Sequence, residues 1–66
     1  MMNRTEANRP QYAYFNVATQ EAEKKGFIQA LNLVAPWANV DIMMEREIVR
    51  YGSPAIQIEW QLIERQ

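Results

Sequence analysis

The chain reads as a small α+β domain of order strand-helix-strand-strand, one helix packed on a three-stranded sheet with a C-terminal β-hairpin. Three observations predict this. Residues 11–17, QYAYFNV, are rich in aromatics, which favour the pleated, half-buried surface of a strand. Residues 19–35 carry apolar side chains at helical spacing. The last third alternates with period two on both sides of a GSP turn, and the two alternations agree in phase.

In the first strand the odd positions Ala13, Phe15 and Val17 make a purely apolar face. The even positions Tyr12, Tyr14 and Asn16 make an amphipathic one. The helix follows over 19–35. Thr19 is placed to cap it, its hydroxyl accepting from an orphaned amide one turn on. Glu21 and Glu23 then sit near the positive end of the helix dipole. Phe27, Ile28, Leu31, Val34 and Ala35 form the apolar stripe, interrupted by Gly26 at about 1 kcal/mol against Ala. Pro36 pushes Ala35 out of helical conformation and stops the helix.

The segment NVDIMMEREIVRYGS, which begins at Asn39, fits two patterns. As a helix it would start on Asn39, gather Val40, Met43, Met44, Ile48 and Tyr51 on one side, and stop at Gly52. As a strand it places Val40, Ile42, Met44 and Ile48 on one face, with Arg46 and Arg50 as the exceptions. The next segment, AIQIEWQLI, is apolar at Ile56, Ile58, Trp60 and Leu62. Even positions on both sides of the turn favour the strand. Residues opposite each other in a hairpin share a face, so even must meet even and the loop must hold an odd number of residues. A three-residue loop, with a Gly available for its left-handed position, pairs Ile48 with Ile56 and Met44 with Trp60 or, shifted by two, Ile48 with Ile58 and Arg46 with Trp60. All the even residues of the hairpin are expected beneath the helix.

The helical reading of the same segment gives the alternative fold. Strand, helix, a short PWA break and a second helix through MMEREIVRYG resemble the ribbon-helix-helix DNA-binding family over residues 10–52. That resemblance implies a DNA-binding regulator with a C-terminal strand appended. The family reads the major groove with polar or basic side chains on paired strands. Here only Gln11 and Asn16 stand beside two tyrosines.

Sixty-six residues make one domain, and a chain this short buries only about 60% of its unfolded surface. A core of that size supplies roughly 3–5 kcal/mol unless something staples it. There is no Cys and no His, which removes disulfides, thiolate metal sites and the commonest metal ligand and general base. Oligomerisation is the remaining staple, so a homodimer is expected. Seven basic against eight acidic residues leave a net charge of -1, and nucleic acid, which calls for a basic field, is the less expected partner. No apolar run approaches the ~18 residues a membrane helix needs, so no membrane partner is expected. MMNRTEANRP lacks the apolar centre of a signal peptide, which points to the cytoplasm. Residues 1–10 are expected to form a flexible arm carrying Arg4 and Arg9, and 11–66 the single domain.

No catalytic, cofactor or metal site is expected, and the chain is not read as an enzyme. The two glycines make no phosphate loop, and the lone serine, Ser53, has no histidine to activate it. The EREIVR cluster reads as a cross-strand ion-pair network, and Lys24 and Lys25 as ordinary solvated amines. What stands out is a leftover surface. With one sheet face under the helix, Tyr12, Tyr14, Met43, Val49, Tyr51 and Ile63 remain on the other, and aromatic and Met residues are enriched in interfaces. The expected function is therefore a small non-enzymatic interaction protein, a homodimer that binds and modulates another protein as an inhibitor or adaptor. The ribbon-helix-helix regulator is the first alternative. A small-ligand-binding half-barrel of ferredoxin-like kind, its cavity lined by Trp37, Trp60 and Tyr14, is the second.

Overall fold

The structure, a computed structural model, describes Thr5 and residues 7–65. Its elements follow in the expected order: β1 (Gln11–Asn16), α1 (Glu21–Val34), β2 (Ala38–Arg50) and β3 (Ser53–Glu64). β3 lies between the other two strands and runs antiparallel to both. The chain crosses from one edge of the sheet to the other through α1 and fills the gap last, a split βαβ arrangement. β2 occupies the segment that the alternative fold needs as a second helix, so the ribbon-helix-helix arrangement is not formed. Among the described residues no helix is long and apolar enough to cross a membrane.

The core follows the alternation of β3. Ile58, Trp60 and Leu62 are buried against Leu31, Ala35 and Ala38, with Ala13, Phe15, Phe27, Val40 and Ile42 packed around them. Phe27 joins helix to sheet through two edge-on ring contacts, to Phe15 at 5.3 Å and to Trp60 at 5.6 Å. Such pairs add about 0.5–1.5 kcal/mol beyond their area. The indole Nε1 of Trp60 is buried without a hydrogen-bond partner, which costs roughly 1–3 kcal/mol. At the margins of the helical stripe Ile28 and Val34 stay exposed, as does Val17 beyond the end of β1.

The helix begins two residues later than the sequence suggests, and Thr19 does not cap it. The side chain of Asn16 competes for the amides of this turn, its Oδ1 accepting from Ala18 and Thr19 at 2.9 and 3.1 Å. Gln20 takes the cap position without a side-chain cap bond. Glu21 and Glu23 occupy the first turn as expected, and the Ala35 amide closes the last turn on Leu31.

The hairpin departs most from expectation. Its loop has two residues, Tyr51 and Gly52, because Arg50 already pairs with Ser53. Both loop residues have positive φ, 53° and 76°, as a type I′ turn requires. An even loop pairs even with odd, so Ile48 lies opposite Ala55 rather than Ile56 or Ile58. Further along, Ile42 faces Trp60 and Val40 faces Leu62, even against even. The register shift between Ile42 and Met44 reconciles the two halves: Met43 is an extra residue, a β-bulge. Turn geometry fixes one half of β2, core burial fixes the other, and the bulge absorbs the mismatch. Met44 and Ile48 therefore leave the helix side, and Glu45 and Glu47 take it.

Of the arm expected over 1–10, residues 1–4 and 6 lie outside the described residues, Arg4 among them. At its inner end Ala7 bridges to Leu62, and the Asn8 amide donates to the Leu62 carbonyl at 2.7 Å. Asn8 makes the reversal with φ 60°, a conformation Asn tolerates better than most residues.

Candidate interaction surface

The register decides which side chains share the sheet face turned away from α1. Nearest the turn lie Asn16, Ala55 and Ile48. Next come Tyr14, Gln57 and Arg46, and then Tyr12, Glu59 and Met44. Beyond the bulge Asp41 faces Gln61 and Asn39 faces Ile63. Directly opposed side chains on one face are the interacting unit of a sheet, and here they interact through polar atoms. Arg46 Nε donates to Gln57 Oε1 at 2.7 Å, and Gln57 Nε2 donates to the Tyr14 hydroxyl at 3.3 Å. The Tyr12 hydroxyl donates to Glu59 at 3.3 Å, and Gln61 donates to Asp41 at 3.0 Å. Gln57 is buried, and both ends of its amide are satisfied within this ladder.

The Glu59 carboxylate holds the Tyr12 phenol above its ordinary pKa of 10.0. Charge repulsion of the tyrosinate is the larger cause and the phenol's own hydrogen bond to Glu59 the second, with Arg46 opposing. A deprotonated Tyr12 loses that bond and faces a like charge.

Of the six residues expected to share this face, Tyr12, Tyr14 and Ile63 lie on it. Met43 stands at the bulge, 45% exposed. Val49, opposite Pro54 and in phase with Glu45 and Glu47, lies on the helix side of the sheet, past the reach of the core. Tyr51 is in the turn itself, 90% exposed. Gln57, in the phase expected of β3, lies on the face too, and the geometry adds Met44, Arg46, Ile48 and Arg50, which the expected phase of β2 had hidden. The i,i+2 spacing of Met44, Arg46, Ile48 and Arg50 in the sequence already marks them as one face.

At the tip a second cluster forms. The Arg50 guanidinium lies 3.7 Å from the centre of the Tyr14 ring and 5.1 Å from that of Tyr51, and it donates to the Tyr51 hydroxyl at 3.4 Å. Stacking on a ring holds the cation in place. Arg50 makes no ion pair among the described residues. A cleft of ≈ 450 Å³ opens beside it, between Tyr14, Asn16, Thr19, Gln20 and Tyr51. The face is thus polarised, with Arg46 and Arg50 toward the tip and Glu59 and Asp41 toward the far end.

On the helix side Glu45 takes Lys24 Nζ at 2.9 Å. The EREIVR stretch therefore makes separate contacts instead of the cross-strand ion-pair network expected of it. Trp60 packs in the core and Tyr14 lies on the opposite sheet face, so Trp37, Trp60 and Tyr14 do not line one cavity. Among the described residues no three carboxylates converge as a metal site would need. Compared with known proteins, the chain matches no family, no curated protein and no solved structure.

Proposed function

We propose that this chain is a small non-enzymatic interaction protein of the cytoplasm, a homodimer that binds another protein with its hairpin tip and modulates it. The observation that carries this reading is Tyr51. A bulky residue at positive φ is an outlier, and at this turn position Asn or Gly costs less. Tyr51 is nevertheless held there, 90% exposed, beside an arginine already ordered on Tyr14. Strained, exposed residues cluster where contacts are made. Tyr and Arg are also the residues that most often dominate interface energies.

The chemistry of the tip describes the partner. Arg46 and Arg50 supply positive charge, with Arg50 in no ion pair among the described residues, and Tyr51 and Ile48 supply apolar area. A protein surface with carboxylates around an apolar contact is complementary to it. The test compares wild type with Tyr51→Asn as bait in extract of the source cells. The variant is expected to fold, melt higher and lose the retained partner. Equal retention by wild type, Tyr51→Asn and Arg50→Gln would overturn the reading.

A further inference from the structure

We infer that two copies of this chain join edge to edge through β1, centred on Ala13, into one continuous six-stranded antiparallel sheet. This deepens the homodimer part of the proposed function and names the surface and register.

The hydrogen-bond parity of β1 is set by its end. The Val17 amide donates to the Pro54 carbonyl at 3.1 Å, continuing the ladder to β3. Along an antiparallel strand the residues that bond a given neighbour alternate. Phe15, Ala13 and Gln11 therefore bond β3, while Asn16, Tyr14 and Tyr12 turn their N–H and C=O to the free edge. Asn16 is already satisfied there: its amide donates to Gln20 Oε1 at 2.8 Å, and its carbonyl accepts from the Gln20 amide at 2.9 Å. Among the described residues two remain, Tyr12 and Tyr14, each with an unpaired backbone donor and acceptor.

Only one twofold register uses all of these groups. Centred on Tyr12, it sets Tyr14 against Pro10, which has no N–H. Centred on Tyr14, it sets Tyr12 against Asn16, whose groups Gln20 holds. Centred on Ala13, Tyr12 of each chain meets the partner's Tyr14, and each such pair exchanges two N–H···O bonds. Ala13 then meets the partner's Ala13 at a close, non-bonded position where a methyl fits. Four tyrosines form one row on the open face, and both helices lie on the other.

Charge separates this edge from the opposite one. β1 carries no charged residue, so nothing opposes a second copy. β2 carries Glu45 and Glu47 on one face and Arg46 and Arg50 on the other. Pairing β2 with itself about Glu45, Arg46, Glu47 or Ile48 always sets like charges opposite, which is destabilising. That alternation guards the β2 edge, and β1 has no such guard.

Sedimentation equilibrium of the pure protein tests the interface. Wild type is expected near twice 7.8 kDa at micromolar concentration. Tyr12→Pro removes an outward N–H without touching the β3 ladder. It should keep the far-UV circular dichroism and raise the dissociation constant by roughly tenfold to a hundredfold, for two bonds lost per dimer. The chain has no native cysteine, so register is read by cross-linking. Oxidised Ala13→Cys should give a disulfide dimer, and Tyr12→Cys mixed with Tyr14→Cys should give a mixed one that neither forms alone. A dimer that survives Tyr12→Pro and yields neither cross-link overturns the β1 interface while leaving partner binding at the tip intact. A monomer at every concentration overturns the interface and the homodimer with it.

Discussion

Trp60 combines a large buried ring with the one orphaned side-chain donor among the described residues, and two substitutions separate these. Trp60→Ala removes the edge contact with Phe27 and leaves a cavity under Ile42 and Gln11, its neighbours across the sheet. A buried Trp→Ala change costs about 3–5 kcal/mol. Removing the unpaired indole N–H returns roughly 1–3 kcal/mol. The net loss, centred on ~2 kcal/mol, is a large part of the ~3–5 kcal/mol that a core this small supplies. Trp60→Ala is therefore expected to be strongly destabilised. Trp60→Phe keeps a ring against Phe27 and loses under ~1.5 kcal/mol in repacking, while the same orphan disappears. It should match or exceed wild-type stability. Urea unfolding followed by far-UV circular dichroism measures both, with the slope checking that the same surface is exposed. A Trp60→Phe variant as unstable as Trp60→Ala would refute the reasoning, because the indole N–H would then be bonded in the folded protein.

Other expectations follow from the hairpin and its open face. Tyr51→Asn relieves a left-handed tyrosine and should gain about 1 kcal/mol, a melting-temperature rise of ~4–8 °C for a domain of this size. Deleting Met43 joins Ile42 to Met44, whose partners Trp60 and Glu59 are already consecutive. The variant should fold with a regular ladder and an unchanged helix content by circular dichroism, and loss of the fold would mean that the bulge itself is required. Tyr12 should ionise above 10.0 in an absorbance titration of tyrosinate, and Glu59→Gln should bring it back toward that value. Because the folded state keeps this proton longer than the unfolded chain, its contribution to stability is intact below pH ~10 and is lost as pH rises through the folded pKa. Tyr12→Phe should flatten that alkaline slope in melts. Lys24→Ala breaks a half-exposed ion pair with Glu45 and should change stability by no more than about 1 kcal/mol.

Much of the candidate surface was hidden by one wrong phase. Tyr12 and Tyr14 were legible because β1 alternates without interruption. Arg46 and Arg50 were not, since the rule that even must face even holds only along an unbroken ladder. Met43 breaks it, and two adjacent methionines give no sign of which one a bulge will leave over.

The element order was determined locally. Aromatic alternation in β1, the helical stripe ended by Pro36 and the clean alternation of Ile56, Ile58, Trp60 and Leu62 each report burial of one side of a short segment, and that burial repeats at the period of the element. The type I′ turn was locally encoded too, in a glycine at its second position, but Tyr51 at the first obscured it. Other features belong to the tertiary structure alone. That β3 lies between β1 and β2 and that a bulge reconciles turn with core both depend on long-range pairing. Ile42 and Trp60 meet only when the chain closes on itself, whereas the Asn16 turn that keeps Thr19 from capping the helix is built from contacts two to four residues apart. Periodicity says which side of a strand is buried. It carries no information about which neighbour the backbone bonds, and that pairing leaves Tyr12 and Tyr14 facing outward at the free edge.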